Sequence, residues 1–331
     1  MTTLITGGSG SVGLALAEHL LAAGDAVVGY DLAPPSAAAA QTFAALPGRF
    51  VAVRGDARDE AALCEAMRAH GVRHVVLMAA ITANARRERA MPRQIFDVNV
   101  GGVLAGLAAA AQCGVQRVLY ASSGAVYGAS GRDAVRDEAS SALLPEGLYG
   151  MSKRAAEEAA RRYSNLAGLP LVIGRLGTCF GPWEADSGMR DTLSPPLQVA
   201  RLAWQGREVV LPRDSRRDWL YVRDAASAIV GLLHADWRHE VYNLAAGHEW
   251  NMSQWCDRLA AKQPGFAWRY ASQGDPANVD YWSDYDRGSM RISRLLADTS
   301  FVPAYDLAAA FDDFQSWIAA HGAAYLGGRA G

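Results

Sequence analysis

Thr2-Thr3-Leu4-Ile5-Thr6-Gly7-Gly8-Ser9-Gly10-Ser11-Val12-Gly13 opens the chain, and its reading decides the fold. A short run of strand character meets glycines at 7, 10 and 13, and an apolar helical pattern over 12–23 follows at once. In such a strand-turn-helix the first glycine permits a tight turn and the second lets the backbone approach a pyrophosphate. The third brings helix and strand together. Free N–H groups at the helix start, around Ser11 and Val12, then face the phosphates. An acidic residue, Asp31, ends the second strand about 20 residues on. A carboxylate there accepts from both ribose hydroxyls and repels a 2′-phosphate. Leu32-Ala33-Pro34-Pro35 offers no arginine to rescue that phosphate, so the pattern points to NAD rather than NADP.

Outward from this turn, strand patterns over 2–6, 26–30, 50–53, 74–78, 117–121 and 171–175 alternate with helices over 12–23, 60–70, 95–112 and 149–167. That alternation implies right-handed crossovers and an α/β fold, a doubly wound parallel sheet covered on both faces. The rhythm breaks after Gly181-Pro182. The stretch over 183–196 has two adjacent prolines and no period, and reads as a loop over the site. Helices over 197–205, 224–234, 252–261, 291–297 and 307–320 then mix with strands over 208–211, 219–222 and 241–244. We expect a cofactor domain over 1–176 and a smaller α/β substrate-binding lobe over 177–331, some of whose strands and helices return to the first domain. The Ala-rich run 36–45 reads as a variable loop or helix, and 327–331 as a frayed end.

The 331 residues are 50% hydrophobic and 20% charged with a net charge of −2, which supplies no basic field for nucleic acid. Cys64, Cys113, Cys179 and Cys256 form no CxxC pair and no metal-ligand spacing with the histidines. They read as buried thiols in a reducing cytoplasm, with no metal site. Met1 leads straight into the first strand, leaving no room for a signal peptide, and no run of about 18 apolar residues suggests a membrane span. The expectation is a cytoplasmic globular enzyme or binding protein.

Tyr149 and Lys153 stand four apart in Leu-Tyr-Gly-Met-Ser-Lys, one helical turn, so phenol and ammonium share a face. A phenol of pKa about 10 is a poor base at neutral pH, and a nearby cation lowers that value. Ser122-Ser123-Gly124-Ala125-Val126-Tyr127-Gly128 leaves the fifth strand at its carboxyl end, where doubly wound sheets place ligands. A serine hydroxyl there could bond both a substrate oxygen and the phenol, organising proton transfer at a carbinol. Asp56, followed by Ala57, ends the third strand. Its carboxylate could meet an adenine amine or cap the next helix, or do both. Ala79-Ala80 after the fourth strand is small enough to admit a nicotinamide. Arg86, Arg87 and Arg89, and Arg190 in the later loop, could form a fork for a substrate carboxylate or phosphate, or simply solvate loops.

Taken together, TGGSGSVG, Asp31, Asn99 in Asp97-Val98-Asn99-Val100, SSGAVYG, YGMSK, Arg175 through Gly181-Pro182, Arg217-Asp218-Trp219-Leu220-Tyr221-Val222 and Tyr242-Asn243-Leu244 resemble an extended short-chain dehydrogenase/reductase. The resemblance is to the NAD-dependent epimerase/dehydratase family and spans nearly the whole chain in the family's order. It implies a Rossmann-type cofactor domain, with Tyr149 as acid/base, Lys153 on the nicotinamide ribose and Ser123 as the catalytic hydroxyl. It also implies that Asn99 braces the active-site helix beside the cofactor, and that Arg217 contacts nucleotide phosphates. Nucleotide-sugar members usually carry Asn where this chain has Thr178, and the run Arg175-Leu-Gly-Thr-Cys is similar instead to uronate dehydrogenases. Dehydratases of the family place an acidic pair after the strand-five threonine. Here Ser123-Gly124-Ala125 offers none, so dehydration is not expected. The favoured expectation is an NAD-dependent dehydrogenase of a sugar or sugar acid. The alternative is a UDP-sugar 4-epimerase with tightly held NAD, and a remoter one is an inactive NAD-sensing scaffold. The helices over 95–112 and 149–167 carry small apolar positions that in this family often pair in a homodimer.

Overall fold

The opening strand becomes the middle of the sheet. In the computed structural model, which describes residues 1–132, 135–186 and 188–327, the strands are β1 (Thr2–Thr6), β2 (Ala26–Asp31), β3 (Arg49–Arg54), β4 (His74–Leu77), β5 (Arg117–Ser123) and β6 (Leu171–Leu176). Later come β7 (Thr178–Phe180), β8 (Val209–Leu211), β9 (Arg216–Arg217), β10 (Trp219–Tyr221), β11 (Val241–Leu244), β12 (Trp250–Asn251) and β13 (Trp268–Tyr270). The helices are α1 (Ser11–Ala22), α2 (Ala37–Ala44), α3 (Glu60–Ala69), α4 (Ala85–Ala90), α5 (Pro92–Phe96), α6 (Gly102–Gln112) and α7 (Leu148–Ala167). The second half adds α8 (Pro195–Trp204), α9 (Val222–His234), α10 (Met252–Lys262), α11 (Ser293–Asp298) and α12 (Leu307–Tyr325).

Seven strands form one parallel sheet in the order β11-β6-β5-β4-β1-β2-β3. β1, β5 and β6 are apolar runs because both faces are covered. On one face Leu14, Leu16 and Leu20 of α1 share a core with Ala225, Ile229 and Leu232 of α9. On the other, Leu63 and Met67 of α3, Val103 and Leu107 of α6, and Ala156 and Ala160 of α7 close a second core. The strand order reverses between β1 and β4, which run parallel, so a crevice opens at their carboxyl ends, the place where such sheets take ligands. The fold is the doubly wound Rossmann type. β11 and α9 come from the second half of the chain and complete the sheet and its cover.

Several elements settle or correct the sequence pattern, the first being the run read as a loop or helix. The run 36–45 is helical, α2, because Ser36 caps it by accepting from the Ala39 N–H. Pro195 and Pro196 do not extend the preceding loop. They open α8 beneath a Ser194 cap, where a missing N–H costs nothing. Between α5 and α6 the chain makes a π turn, Asp97–Gly101, that carries Asn99 inward. The continuous helical run Pro92–Gln112 is 21 residues with mean hydropathy 1.4, long and apolar enough by composition to cross a bilayer, although α6 packs on α3 and α7. Cys64 and Cys256 are buried and Cys113 and Cys179 half-buried, and Cys64 and Cys113 meet with their sulfurs 2.8 Å apart. Residues 328–331 of the expected frayed end lie outside the described residues.

Candidate active site

The crevice is built by close backbone approach. Gly7 has φ +72°, and a Cβ on it would stand 3.0 Å from the Ala79 N and Cα. A Cβ on Gly13 would stand 2.4 Å from the Gly7 carbonyl. Gly10 precedes α1 without a side-chain cap, and the first turn holds no acid, so the N–H groups of Ser11, Val12 and Gly13 have no partner within the helix. Asp31 lies beside this turn and accepts from the Ser9 N–H at 3.0 Å. Ala79 is held against the turn by Thr6, whose Oγ1 accepts from the Met78 and Ala79 N–H groups. Free N–H donors at one end, a carboxylate 21 residues after Gly10 and small residues at Ala79 and Ala80 fit a dinucleotide. Asp56 does not cap α3. That role falls to Asp59, which accepts from the Ala62 N–H at 3.0 Å, while Asp56 takes the Arg58 backbone and guanidinium at 2.9 Å. Ala57 packs on Gly102 at the start of α6.

Across the crevice, α7 presents Tyr149 and Lys153. The phenol faces the hydroxyls of Ser123 at the end of β5 and of Thr82 beyond β4, which act on its titration. The phenol pKa is raised overall, because burial pushes it up more than the Ser123 and Thr82 hydroxyls and the charge of Arg190 pull it down. The expected pull from Lys153 is not what lowers it. Lys153 is 2% exposed and donates from Nζ to the Ala121 carbonyl at 2.8 Å, over the Tyr120 ring. Burial brings the ammonium down to about 8, with the Glu157 carboxylate opposing.

Behind this pair lies a buried network. Glu157, one turn beyond Lys153, accepts from Ser122 Oγ at 2.6 Å and from Arg175 Nε and Nη2 at 2.9 and 2.7 Å. Arg175 donates to Tyr127 Oη at 3.0 Å, and Tyr127 donates to Asn243 Oδ1. Asn99 is fully buried. Its Oδ1 accepts from the Ile81 N–H at 2.8 Å, and its Nδ2 donates to the Ile81 carbonyl and to Ser152 Oγ. It ties the β4 loop to α7, so its side chain positions the walls of the crevice instead of facing a cofactor.

The loop arginines do not form a fork. Arg86 and Arg89 project to solvent, and Arg87 pairs with Asp191 at 2.6 Å. Arg190 pairs with the buried Glu184 at 2.9 Å, and Glu184 also accepts from the Ser194 N–H. The loop is thereby pinned beside Thr82, whose N–H donates to Met189 O and whose carbonyl accepts from the Asp191 N–H. Thr178 is half-buried at the start of β7, next to Cys179, whose thiol burial pushes up to about 12.

Arg217 behaves differently. It is 2% exposed, yet its donors go to neutral acceptors, Ser215 Oγ at 3.1 Å and Tyr281 O at 2.8 Å. Burial, with Arg287 and Arg213 adding repulsion, lowers its pKa to about 10. Arg213 pairs with Asp286 at 2.8 Å, but Arg213 Nη2 and Arg287 Nε are buried without a hydrogen-bond partner among the described residues. The Trp282 ring, on a backbone with φ +64°, lies 5.3 Å from the Arg217 guanidinium and 5.5 Å from that of Arg190. A buried cation group short of anions is a site for one. Sequence reasoning missed Thr82, Glu184, Arg287 and Trp282. Only Thr82 gave a signal, by following Ala79-Ala80 in the same loop.

A family model described as NAD dependent epimerase/dehydratase family matches residues 3–245. UDP-glucuronate 4-epimerase 1 of Arabidopsis thaliana is 28% identical over 244 residues, 70% of this chain and 55% of that protein. dTDP-glucose 4,6-dehydratase of Xanthomonas campestris pv. campestris (strain B100) is 26% identical over 321 residues, 92% of this chain and 89% of that protein. Among solved structures, UDP-glucose-4-epimerase from Stenotrophomonas maltophila, with bound NAD and formylated UDP-arabinopyranose, superposes with TM-score 0.81 at 24% identity, over 98% of this chain and 99% of that one. The crevice and the family match agree on NAD as cofactor, and the chain is a member of the NAD-dependent epimerase/dehydratase family.

Proposed function

We propose that this enzyme acts on a nucleoside-diphosphate sugar and inverts a ring carbinol, as a 4-epimerase does. The observation that carries this reading is Arg217, a buried guanidinium with no carboxylate partner among the described residues, grouped with Arg213 and Arg287. A diphosphate satisfies such donors and compensates their charge. The sequence leaned toward a free sugar acid through Thr178 and the run Arg175-Leu-Gly-Thr-Cys, with the loop arginines as a possible carboxylate fork, and of those Arg87 and Arg190 are spent on Asp191 and Glu184 while Arg86 and Arg89 face solvent.

With the diphosphate on Arg217, the hexose extends toward Ser123 and Tyr149. Tyr149 takes the carbinol proton, and Ser123 holds the same oxygen so that it stays in line with the phenol. Lys153, cationic near neutral pH, would hold the ribose hydroxyls of the bound cofactor. Bound NAD would supply the hydride acceptor at that carbon and, in an epimerase, the donor for its return to the opposite face. Ser123-Gly124-Ala125 provides no acid to expel water, so the keto sugar keeps its substituents.

The dehydrogenase reading retains one observation in its favour. Thr178, shorter than an amide, stands where nucleotide-sugar enzymes usually hold the diphosphate. One experiment separates the two. Proton NMR of UDP-glucose and UDP-glucuronate incubated with enzyme and NAD should show C4 inversion, with absorbance at 340 nm flat. Stoichiometric NADH from free hexuronates, with nucleotide sugars inert, overturns the proposal.

A further inference from the structure

Arg136 is a second buried cation that the reaction above does not use. It is 4% exposed, and Nε donates to Gly288 O at 2.9 Å. Its backbone is locked in a ladder, with its N–H on Ser289 O and its carbonyl accepting from Arg291 N–H. The nearby carboxylate of Asp218 is occupied by the Ala246 and Met290 N–H groups at 2.9 and 3.0 Å. No ion pair forms on Arg136 among the described residues. Burial, with the like charge of Arg287 facing it, brings the pKa of Arg136 to about 10, so Arg136 remains a cation at neutral pH.

The guanidinium is aimed at the reacting end of the site. A Cβ on Gly124, the residue directly after Ser123, would stand 3.0 Å from Arg136 Nη1. The missing side chain at 124 is what gives Arg136 its room.

We propose that Arg136 determines specificity by binding a carboxylate on the hexose, so that this site takes nucleoside-diphosphate hexuronates in preference to neutral hexoses. The proposal rests on the nucleotide-sugar reading above. A guanidinium meets a carboxylate in two parallel charge-assisted bonds, and no hydroxymethyl group can replace them. Discrimination of this kind, by a buried group left unpaired with the wrong substrate, reaches large factors.

The test compares kcat/KM for UDP-glucuronate and UDP-glucose, and in parallel the affinity of the NAD-loaded protein for each by calorimetry. We expect the wild type to favour the uronate at least about tenfold in both readouts. R136M should abolish that preference, bringing the ratio to about one, with R136K intermediate. G124A, whose new methyl displaces the guanidinium, should lower the ratio without removing the charge. A wild type that favours UDP-glucose, or a ratio unchanged in folded R136M, overturns the inference and leaves the epimerase reading standing. Should R136M fail to fold, the wild-type ratio and G124A decide the matter. If neither nucleotide sugar binds or turns over, the underlying reading fails, and the inference with it.

Discussion

Lys153 carries a charge that its surroundings make costly. Its ordinary pKa is 10.5 and burial brings it to about 8, so the unfolded chain holds that proton more tightly than the folded one between those values. Stability therefore rises with pH from about 8 to 10.5, and below 8 the full cost is present. K153M should lose at least about a hundredfold in kcat, yet melt at pH 7 no lower than wild type and about 2–4 °C higher. That margin should shrink toward pH 10 in a thermal scan, and a K153M protein several degrees less stable at pH 7 would contradict it. Thr82 acts on the phenol from the opposite wall. T82V should raise the apparent pKa of the kcat/KM profile and reduce activity at pH 7 by about tenfold. Tyr149, Lys153 and Ser123 were legible because their relation is local, one helical turn or one strand end. Thr82, Glu184 and Arg287 were not, because their partners lie across loops whose geometry no periodicity encodes.

At the scale of the element, α7 presents catalytic groups toward the crevice and a buried ion pair behind it. Removing one partner of that pair strands the other. E157A should cost about 3–5 kcal/mol by denaturant titration, because Arg175 is left buried and uncompensated. A loss under 1 kcal/mol would show that water or Asn243 takes over the guanidinium. The sheet strands could be read from the sequence, since apolar runs bounded by turns and glycines at 7, 10 and 13 fix β1 and its neighbours. Short pieces could not. β13 has three residues, too few for a period, and the two prolines that suggested a loop instead start α8.

The whole molecule leaves apolar surface uncovered. Only 44% of the apolar window within Pro92–Gln112 is buried, and on α7 Met151 and Leu166 are 41% and 66% exposed. Exposed apolar positions on helices of this kind can belong to association surfaces. We expect a homodimer through the 92–112 run and α7, seen in light scattering as twice the 35.3 kDa chain mass. A monomer at micromolar concentration would contradict it. The most direct test of the account is a calorimetric titration of the NAD-loaded enzyme with UDP. It predicts saturable binding that R217M weakens by about tenfold or more, since the buried guanidinium meets the diphosphate. Absence of UDP binding, with free hexuronates binding in its place, would contradict it.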